Sequence, residues 1–249
     1  MRKIQIIGLA FAAIFAFSMV SASGASAFTL WDECMEVTAG TGMFTNSDCN
    51  EPGAPKSWEW LPMPAATPID SLPTDLVLLS TGIVTVEVLC EGSMVGTAGL
   101  NGGGTVTELL NLAGEVVSLT NLVACTNITG CPEPLASPEN LPWNTQLVNE
   151  TTEDATGLLL GPHSGGGNPG WFVKCDGNGT ENECTKEDTV LLVENLLAEL
   201  EVALTFPAST DTKNLALAVC SNGFSNDGFV VGSVSVLITN GAARALRAD

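Results

Sequence analysis

Apolar and polar residues alternate most clearly in the segment Ile83–Cys90. The apolar residues occupy every second position, at Val84, Val86, Val88 and Cys90. This period of two predicts a half-buried β-strand. The glycine-rich segment that follows, Glu91–Gly104, is predicted to be a turn. The order of alternating strand, cysteine and turn recurs less regularly late in the chain. There the alternation ends at Cys220, a turn follows, and a long strand is predicted at Phe229–Thr239.

Short apolar or alternating segments separated by turn residues recur through the chain. They predict two hairpins, one of Leu76–Leu79 with Ile83–Cys90 and one of Thr105–Leu112 with Glu115–Ala124. They also predict three further strands, at Gln146–Val148, Thr156–Leu160 and Gly170–Lys174. Many short strands between turns are typical of a sandwich or a barrel. The sequence therefore predicts an all-β fold, a β-sandwich or barrel of many short antiparallel strands.

The segment Thr189–Phe206 is compatible with two structures. Its leucines and valines recur at helical spacing from Val193 to Leu204, yet from Leu200 to Phe206 they also alternate with polar residues. We predict strand–turn–strand here, with one short helix as the alternative.

Proline interrupts the pattern in two segments, Asn50–Thr74 and Pro132–Trp143. Proline lacks the N–H that a strand ladder uses and disfavours a helix in the residue before it. The first segment is therefore predicted to be an extended arm without regular structure, pinned by Trp58 and Trp60, and the second a loop. The predicted organisation is a signal peptide at 1–27, a stapled N-terminal segment and arm at 28–74, and a β-domain at 75–249 on which 28–74 packs.

Residues 1–27 have the features of a secretory signal peptide. Arg2 and Lys3 precede the apolar run Ile4–Val20, and small residues follow as far as an A-S-A sequence at 25–27. A membrane anchor needs about 20 apolar residues, and this run is shorter. We expect cleavage before Phe28 and a secreted protein, extracellular or associated with the cell wall, with no membrane attachment after cleavage.

The chain is strongly acidic, with 28 Asp and Glu, 8 Lys and Arg, and a formal net charge of −20. Nucleic acids and anionic membranes bind basic patches, so neither is an expected partner. Charged residues are only 14% of the chain, against an ordinary value of about 25%. The surface must therefore be rich in uncharged polar residues, as is common in extracellular β-proteins.

Eight cysteines in an exported chain predict disulfides. Three pairs enclose short turn-rich segments and are predicted as staples: Cys34–Cys49, Cys125–Cys131 and Cys175–Cys184. The remaining two cysteines would then form a long bridge, Cys90–Cys220. The alternative pairing is Cys90–Cys175 with Cys184–Cys220.

Four cysteine-containing blocks carry a resemblance, namely Glu33–Cys49, Gly82–Cys90, Ala124–Cys131 and Trp171–Cys175. In their order they are similar to a group of uncharacterised secreted β-rich proteins of high-GC Gram-positive soil bacteria. The region of Cys184 and Cys220 departs from the pattern. The resemblance implies secretion, a β-rich fold and residence at or outside the cell wall, and it assigns no activity and no functional residue.

Catalytic machinery is not evident in the sequence. The only histidine, His163, is adjacent to Ser164 in a glycine-rich segment, whereas a catalytic triad needs a histidine brought from elsewhere in the chain. A glycosidase needs two carboxylates at a defined separation, and nothing singles out a pair among Glu87, Glu91, Glu108, Glu199 and Glu201. We predict that the protein is not an enzyme and has no catalytic residue and no cofactor.

One segment partly matches a calcium-binding loop. Oxygen-bearing side chains occupy loop positions 1, 3, 5 and 12, at Asp176, Asn178, Thr180 and Glu187. Position 6 is Glu181, where such a loop needs glycine for its sharp turn. Cys184 within the segment suggests a disulfide-clamped turn, and a zinc site lacks the necessary histidines. No metal site is predicted.

Two classes of function remain. The first is a secreted or cell-surface structural or interaction protein, whose partner would be a cell-wall or extracellular glycan or a protein. The alternative is an extracellular carbohydrate-binding module, because Trp58 and Trp60 are two residues apart and indole faces stack on sugar rings. The absence of tyrosine from the chain weakens the alternative. Buried tryptophans would favour the first class.

Overall fold

The computed structural model describes residues 30–63, 66–82, 85–150, 155–163, 166–186, 189–196, 201–206, 219–221, 225–238 and 246–248. These residues form strands and one short 3₁₀ turn at Leu100–Gly102, with no α-helix among them. The all-β prediction is confirmed. The ambiguous segment Thr189–Phe206 contains two antiparallel strands, so the helical alternative is wrong. The predicted signal peptide lies outside the described residues.

The strands are numbered in chain order. They are β1 (Trp31–Glu36), β2 (Trp58–Pro62), β3 (Thr67–Ser71), β4 (Thr74–Gly82), β5 (Val86–Ala98), β6 (Gly103–Leu110), β7 (Val123–Ala124), β8 (Thr126–Thr129), β9 (Pro134–Glu139), β10 (Trp143–Glu150), β11 (Ala155–Pro162), β12 (Gly170–Cys175), β13 (Thr180–Thr185), β14 (Thr189–Leu196), β15 (Glu201–Phe206), β16 (Val219–Ser221), β17 (Ser225–Ile238) and β18 (Leu246–Ala248).

Eight of the strands form a closed antiparallel barrel. Their order is β15-β14-β11-β10-β6-β5-β3-β17, and β17 pairs with β15 to complete the circle. Of the two architectures left open by the sequence, the structure is thus the barrel. Closure removes the unpaired edges that an open sheet would expose.

Two long strands, β5 and β17, continue beyond the barrel. There β4 lies between them, and β8 pairs with the outer side of β5. We call this group of β17, β4, β5 and β8 the extension. Within it, Val86 and Val88 are buried on one face of β5, as the alternation predicts.

The other strands form two smaller sheets. The second sheet has the order β16-β13-β12-β9-β7, and the N-terminal sheet has the order β18-β1-β2. In the N-terminal sheet β18 pairs with β1, so the last described strand joins the first. The main core is continuous through the barrel, the extension and the second sheet.

The predicted turn at Glu91–Gly104 is wrong over its first half, because β5 runs on to Ala98. Two glycines in this part serve close packing. A Cβ atom at Gly92 would collide with the carbonyl oxygen of Leu110, and one at Gly96 with that of Thr105. The chain turns only after Ala98, where Asn101 and Gly102 have positive φ.

Both proline-rich segments contain strands, contrary to prediction. Pro68 lies in β3. Pairing of β3 with β17 starts at the next residue, Ile69, so no hydrogen bond of this ladder requires the N–H that proline lacks. Pro138 lies in β9, whose pairing with β7 involves only Leu135 and Ala136. Proline is tolerated in these strands because one flank of each proline is unpaired.

The disulfides join consecutive cysteines along the chain: Cys34–Cys49, Cys90–Cys125, Cys131–Cys175 and Cys184–Cys220. The first was predicted, and the fourth belonged to the alternative pairing. The predicted bridges Cys125–Cys131, Cys175–Cys184 and Cys90–Cys220 are wrong, and so is Cys90–Cys175.

Strand geometry explains these errors. Cys125 and Cys131 lie on either side of the extended strand β8, and six residues of extended chain span about 20 Å. Cys184 is paired with Trp171, four residues before Cys175 on the same strand, a displacement of about 13 Å. A disulfide needs Cα atoms within about 7 Å. Cys184 and Cys220, by contrast, are directly opposite each other on β13 and β16.

A glycine of β17 allows the barrel strand to lie against the Cys184–Cys220 disulfide. A Cβ atom on Gly228 would come within 2.7 Å of Cys220 Sγ, 2.9 Å of Cys184 Sγ and 2.9 Å of Trp171 Cζ2. Real Cβ atoms do not approach other atoms so closely. The contact between the extension and the second sheet therefore depends on a residue without a side chain.

Candidate functional site

An apolar cavity of about 120 Å³ lies between the extension, one end of the barrel and the second sheet. Its floor includes Ala136, Pro138 and Trp171 from the second sheet. In the register of β9 and β12, Pro138 is opposite Trp171 and Ala136 is opposite Val173, so these four side chains share one face. This face meets Leu78 and Val230 of the extension and Leu160 of the barrel.

A second tryptophan, Trp143, fixes the barrel side of the cavity. It is 8% exposed, and its indole N–H donates a hydrogen bond of 2.7 Å to the backbone carbonyl of Glu139. This bond satisfies the polar end of the ring and leaves its apolar surface in the wall of the cavity. It also connects the start of β10 to the end of β9, so it links the barrel to the second sheet.

The opposite wall is less buried. Met94, Leu109 and Leu110 of β5 and β6 line the cavity and are half-buried, and Glu91 beside them is exposed. The cavity therefore meets solvent along this wall, which we call the mouth. Cys90, bridged to Cys125, is also part of the wall, so the disulfide holds the mouth to the chain that leads into β8.

A loop beside the mouth carries exposed apolar side chains. Residues 111–122 follow β6 and are anchored by a hydrogen bond of 2.8 Å from the Val117 N–H to the Leu109 carbonyl. Val117 is buried in the cavity wall. Leu112, Val116 and Leu119 are 64%, 46% and 60% exposed. Three exposed apolar side chains in one short loop make the surface around the mouth more apolar than an ordinary loop surface.

Two carboxylates lie at or near the cavity. Glu91 is the only charged residue in the described part of its lining. Glu139 is 8% exposed at the end of β9, and burial raises the pKa of its carboxyl, with a smaller contribution from the negative charge of Glu183. Because its folded-state pKa is raised, the folded protein holds this proton more tightly than the unfolded chain does.

This pKa shift gives a testable pH dependence. The stabilisation contributed by protonated Glu139 is present below the ordinary glutamate pKa and is lost as the pH rises through the raised folded-state value. Glu139→Gln should therefore increase the melting temperature at pH 7 and show a smaller loss of stability above about pH 4.5. Thermal unfolding between pH 4 and 8 measures this, with the exposed Glu108→Gln as control. A variant that loses stability at pH 7 would contradict the assignment.

The side chain of His163 lies at the end of β11, next to β10. The imidazole is exposed, and its Nδ1 lies 3.1 Å from Oδ1 of Asn144. The neighbouring Ser164 lies outside the described residues. Of the carboxylates considered for glycosidase chemistry, Glu87 and Glu91 are on β5 and Glu108 is on β6, while Glu199 is outside the described residues.

The calcium-like segment begins as a tight β-hairpin turn between β12 and β13. The N–H of Gly179 donates to the Cys175 carbonyl at 2.8 Å, and Asp176 forms an ion pair of 2.6 Å with Lys174. The disulfide clamp predicted for this turn is wrong, because Cys175 and Cys184 bond to other cysteines. Across the described ranges, no three histidine, cysteine or acidic side chains are grouped as metal ligands.

The two tryptophans of the predicted arm lie on β2. Trp58 and Trp60 are both half-buried and pack, together with Phe44, against the buried Cys34–Cys49 disulfide. Trp60 is directly opposite Cys34 in the register of β1 and β2. The sequence predicts that they pin an irregular arm to the β-domain. They instead pack on the disulfide of the N-terminal sheet, and the chain around them is a strand.

The cavity itself was not predicted from the sequence. Two of its floor residues, Ala136 and Pro138, fall in the segment predicted to be a loop. The available signal was the alternation of Trp171, Val173 and Cys175, which marks one buried face of β12. Such alternation identifies a buried face but not the gap beside it.

Comparisons of this chain with protein-family profiles, with curated proteins and with solved structures found no match. Among the residues that the structure describes, no helix has the length and apolar character required to cross a membrane. The four disulfides indicate an extracellular or otherwise oxidising environment.

Proposed function

We propose that the protein is a secreted or cell-surface structural or interaction protein without catalytic activity. The observation that carries the proposal is the distribution of the four disulfides. One staples the N-terminal sheet, one ties β5 to the chain before β8, one ties the chain before β9 to the end of β12, and one joins β13 to β16. Disulfides in so many parts of a chain of this size suit persistence outside the cell, where thiols are not kept reduced.

The proposal is tested by locating the protein and determining its covalent state. We expect it in the culture medium or the cell-wall fraction, with an intact mass that begins at Phe28 and with all eight cysteines oxidised. Peptide mapping without reductant should recover the four consecutive pairs. A reduced protein in the cytosol that retains residues 1–27 would overturn the proposal.

A partner at the cell surface would be a glycan of the wall or another extracellular protein. The acidic chain argues against nucleic acid as that partner. The alternative function, a carbohydrate-binding module, requires tryptophan faces that are free to stack on sugar rings. Packing of the half-buried Trp58 and Trp60 against a disulfide favours the structural role for these residues.

Trp60→Ala distinguishes these two roles. If Trp60 anchors the N-terminal sheet, its loss should lower the free energy of unfolding by about 3 kcal/mol, the lower end of the range for large aromatic truncations, because the ring is only half-buried. Chemical denaturation measures this, and affinity electrophoresis in cell-wall and plant polysaccharides should show no retardation of the wild-type protein. The exposed Leu119→Ala is the control, expected within about 0.5 kcal/mol of wild type.

The opposite pair of results would support the carbohydrate-binding alternative. In that case Trp60→Ala would unfold like the wild-type protein, and the wild-type protein alone would be retarded by a polysaccharide.

A further inference from the structure

We propose that the cavity is a binding site for a small uncharged hydrocarbon group, about the size of a benzene ring or a short alkyl segment. This inference goes beyond the role proposed above and does not depend on where the protein resides. It is carried by the volume of the cavity, the chemistry of its wall and the charge around its mouth.

The volume and the wall favour an apolar occupant over water. Apolar cavities of about 150 Å³ stay dry and bind benzene, and this cavity is only slightly smaller, at about 120 Å³. A buried water needs two to four polar partners. The described lining has three hydroxyl residues, Thr74, Ser93 and Ser137. Its buried surface is otherwise mainly apolar, from Leu78, Leu160, Val230 and the indoles of Trp143 and Trp171, and the indole N–H of Trp143 is already bonded to Glu139. A hydrocarbon would regain the contacts that the wall atoms lack.

The mouth gives such a ligand access. The half-buried Met94, Leu109 and Leu110 and the exposed Glu91 lie between the buried floor and solvent. A longer molecule could place its apolar end on the floor and extend past these residues. The exposed leucines of the adjacent loop, Leu112 and Leu119, would lie beside the part that protrudes.

The charge of the site selects against anions. Among the residues that the structure describes, Glu91 is the only charged one in the lining, and no described lysine or arginine lines the cavity to pair with a carboxylate or phosphate. The whole chain has a net charge of −20, which adds a repulsive field. An acyl chain with a free carboxylate would therefore be disfavoured, whereas the same chain with a neutral hydroxyl would not.

Titration calorimetry with three small probes tests the proposal on the full, oxidised chain. We expect 1-hexanol, benzene or both to bind saturably, and hexanoate at pH 7.5 to bind at least tenfold more weakly than 1-hexanol. Benzene alone would indicate a site for a ring, and 1-hexanol alone a site for an alkyl chain, and both results support the proposal. Hexanoate that binds as tightly as 1-hexanol would overturn the requirement for an uncharged ligand.

Two substitutions locate the binding. Ala136→Leu fills the floor, and Leu110→Trp fills the mouth at a half-buried position that tolerates a larger side chain more easily. Either folded variant should bind the probes at least tenfold more weakly than wild type. Leu192→Trp, on the exposed surface of β14, is the matched control and should bind as wild type does. Absence of saturable binding by both neutral probes, or binding unchanged in Leu110→Trp, would overturn the proposal.

Discussion

Replacing Cys131 and Cys175 together with alanine is expected to lower the free energy of unfolding by about 4 kcal/mol. The two cysteines are 44 residues apart, and the loop that they close restricts the unfolded chain. Both are fully buried, with 0% exposure, so the loss of their packing adds to the effect. The bridge joins the segment before β9 to the end of β12, the two strands that form the floor of the cavity. Equilibrium denaturation in urea measures the change.

The matched control is removal of the Cys34–Cys49 bridge, which closes a loop of 15 residues. The chain-entropy relation gives about 3 kcal/mol for a loop of this length, about 1 kcal/mol less than for the longer loop. Alanine at Cys34 and Cys49 should therefore be the milder change and should affect the N-terminal sheet. A Cys131→Ala/Cys175→Ala protein that is as stable as wild type would contradict the assigned bridge.

Trp171→Ala should lower the free energy of unfolding by about 3 to 5 kcal/mol. The indole is 6% exposed, lies in the cavity floor, and is close enough to β17 to exclude a Cβ atom from Gly228. Its removal would enlarge an existing cavity and leave the Cys184–Cys220 disulfide without one of its neighbours. Because the surrounding strands are held by disulfides and ladders, they cannot collapse into the space. Thermal and urea unfolding of the variant measure the loss.

A second variant at the same position tests how much of the destabilisation comes from losing the whole aromatic side chain. Trp171→Phe retains an aromatic ring, so it should be clearly less destabilising than Trp171→Ala. The exposed Leu119→Ala serves as a reference for a truncation that leaves no cavity, expected within about 0.5 kcal/mol of wild type. If Trp171→Ala has the same free energy of unfolding as Leu119→Ala, the indole does not stabilise the core.

The strand pattern was predictable because each half-buried strand carries its own local signal. The alternation at Val86 and Val88 depends only on which face of the strand is buried. The helical spacing within Thr189–Phe206 was misleading, because its two described parts are paired strands. Glycine and proline were misleading because they usually mark turns, whereas here packing between strands determines where they occur. Gly96 is required by the close approach of β6, and Pro138 is tolerated because β7 is too short to pair with it.

Cysteine pairing and the cavity both depend on which strands become neighbours. Short sequence spacing made Cys125–Cys131 look favourable, but an intervening strand keeps those residues apart. The register of β5 with β8 ends at Leu89 and Thr126, which leaves Cys90 and Cys125 as the next opposed pair. In the same way, Trp143, Trp171 and Val230 meet only when the barrel, the second sheet and the extension are assembled. The pattern of any one segment therefore does not predict the cavity.

The late position of β17 in the chain determines the order in which the molecule can be completed. Strand β17 closes the barrel by pairing Ile238 with Ile69 of β3 and Val236 with Val202 of β15. In a growing chain, β3 and β15 therefore lack this neighbour until Ser225–Ile238 has been synthesised. The pairing of β17 with β3 joins segments far apart in the chain, and such pairings form slowly. The four disulfide loops, in contrast, follow one another along the sequence without overlap. Each staple can therefore form from a finished stretch of chain in an oxidising environment, before the last long strand closes the barrel.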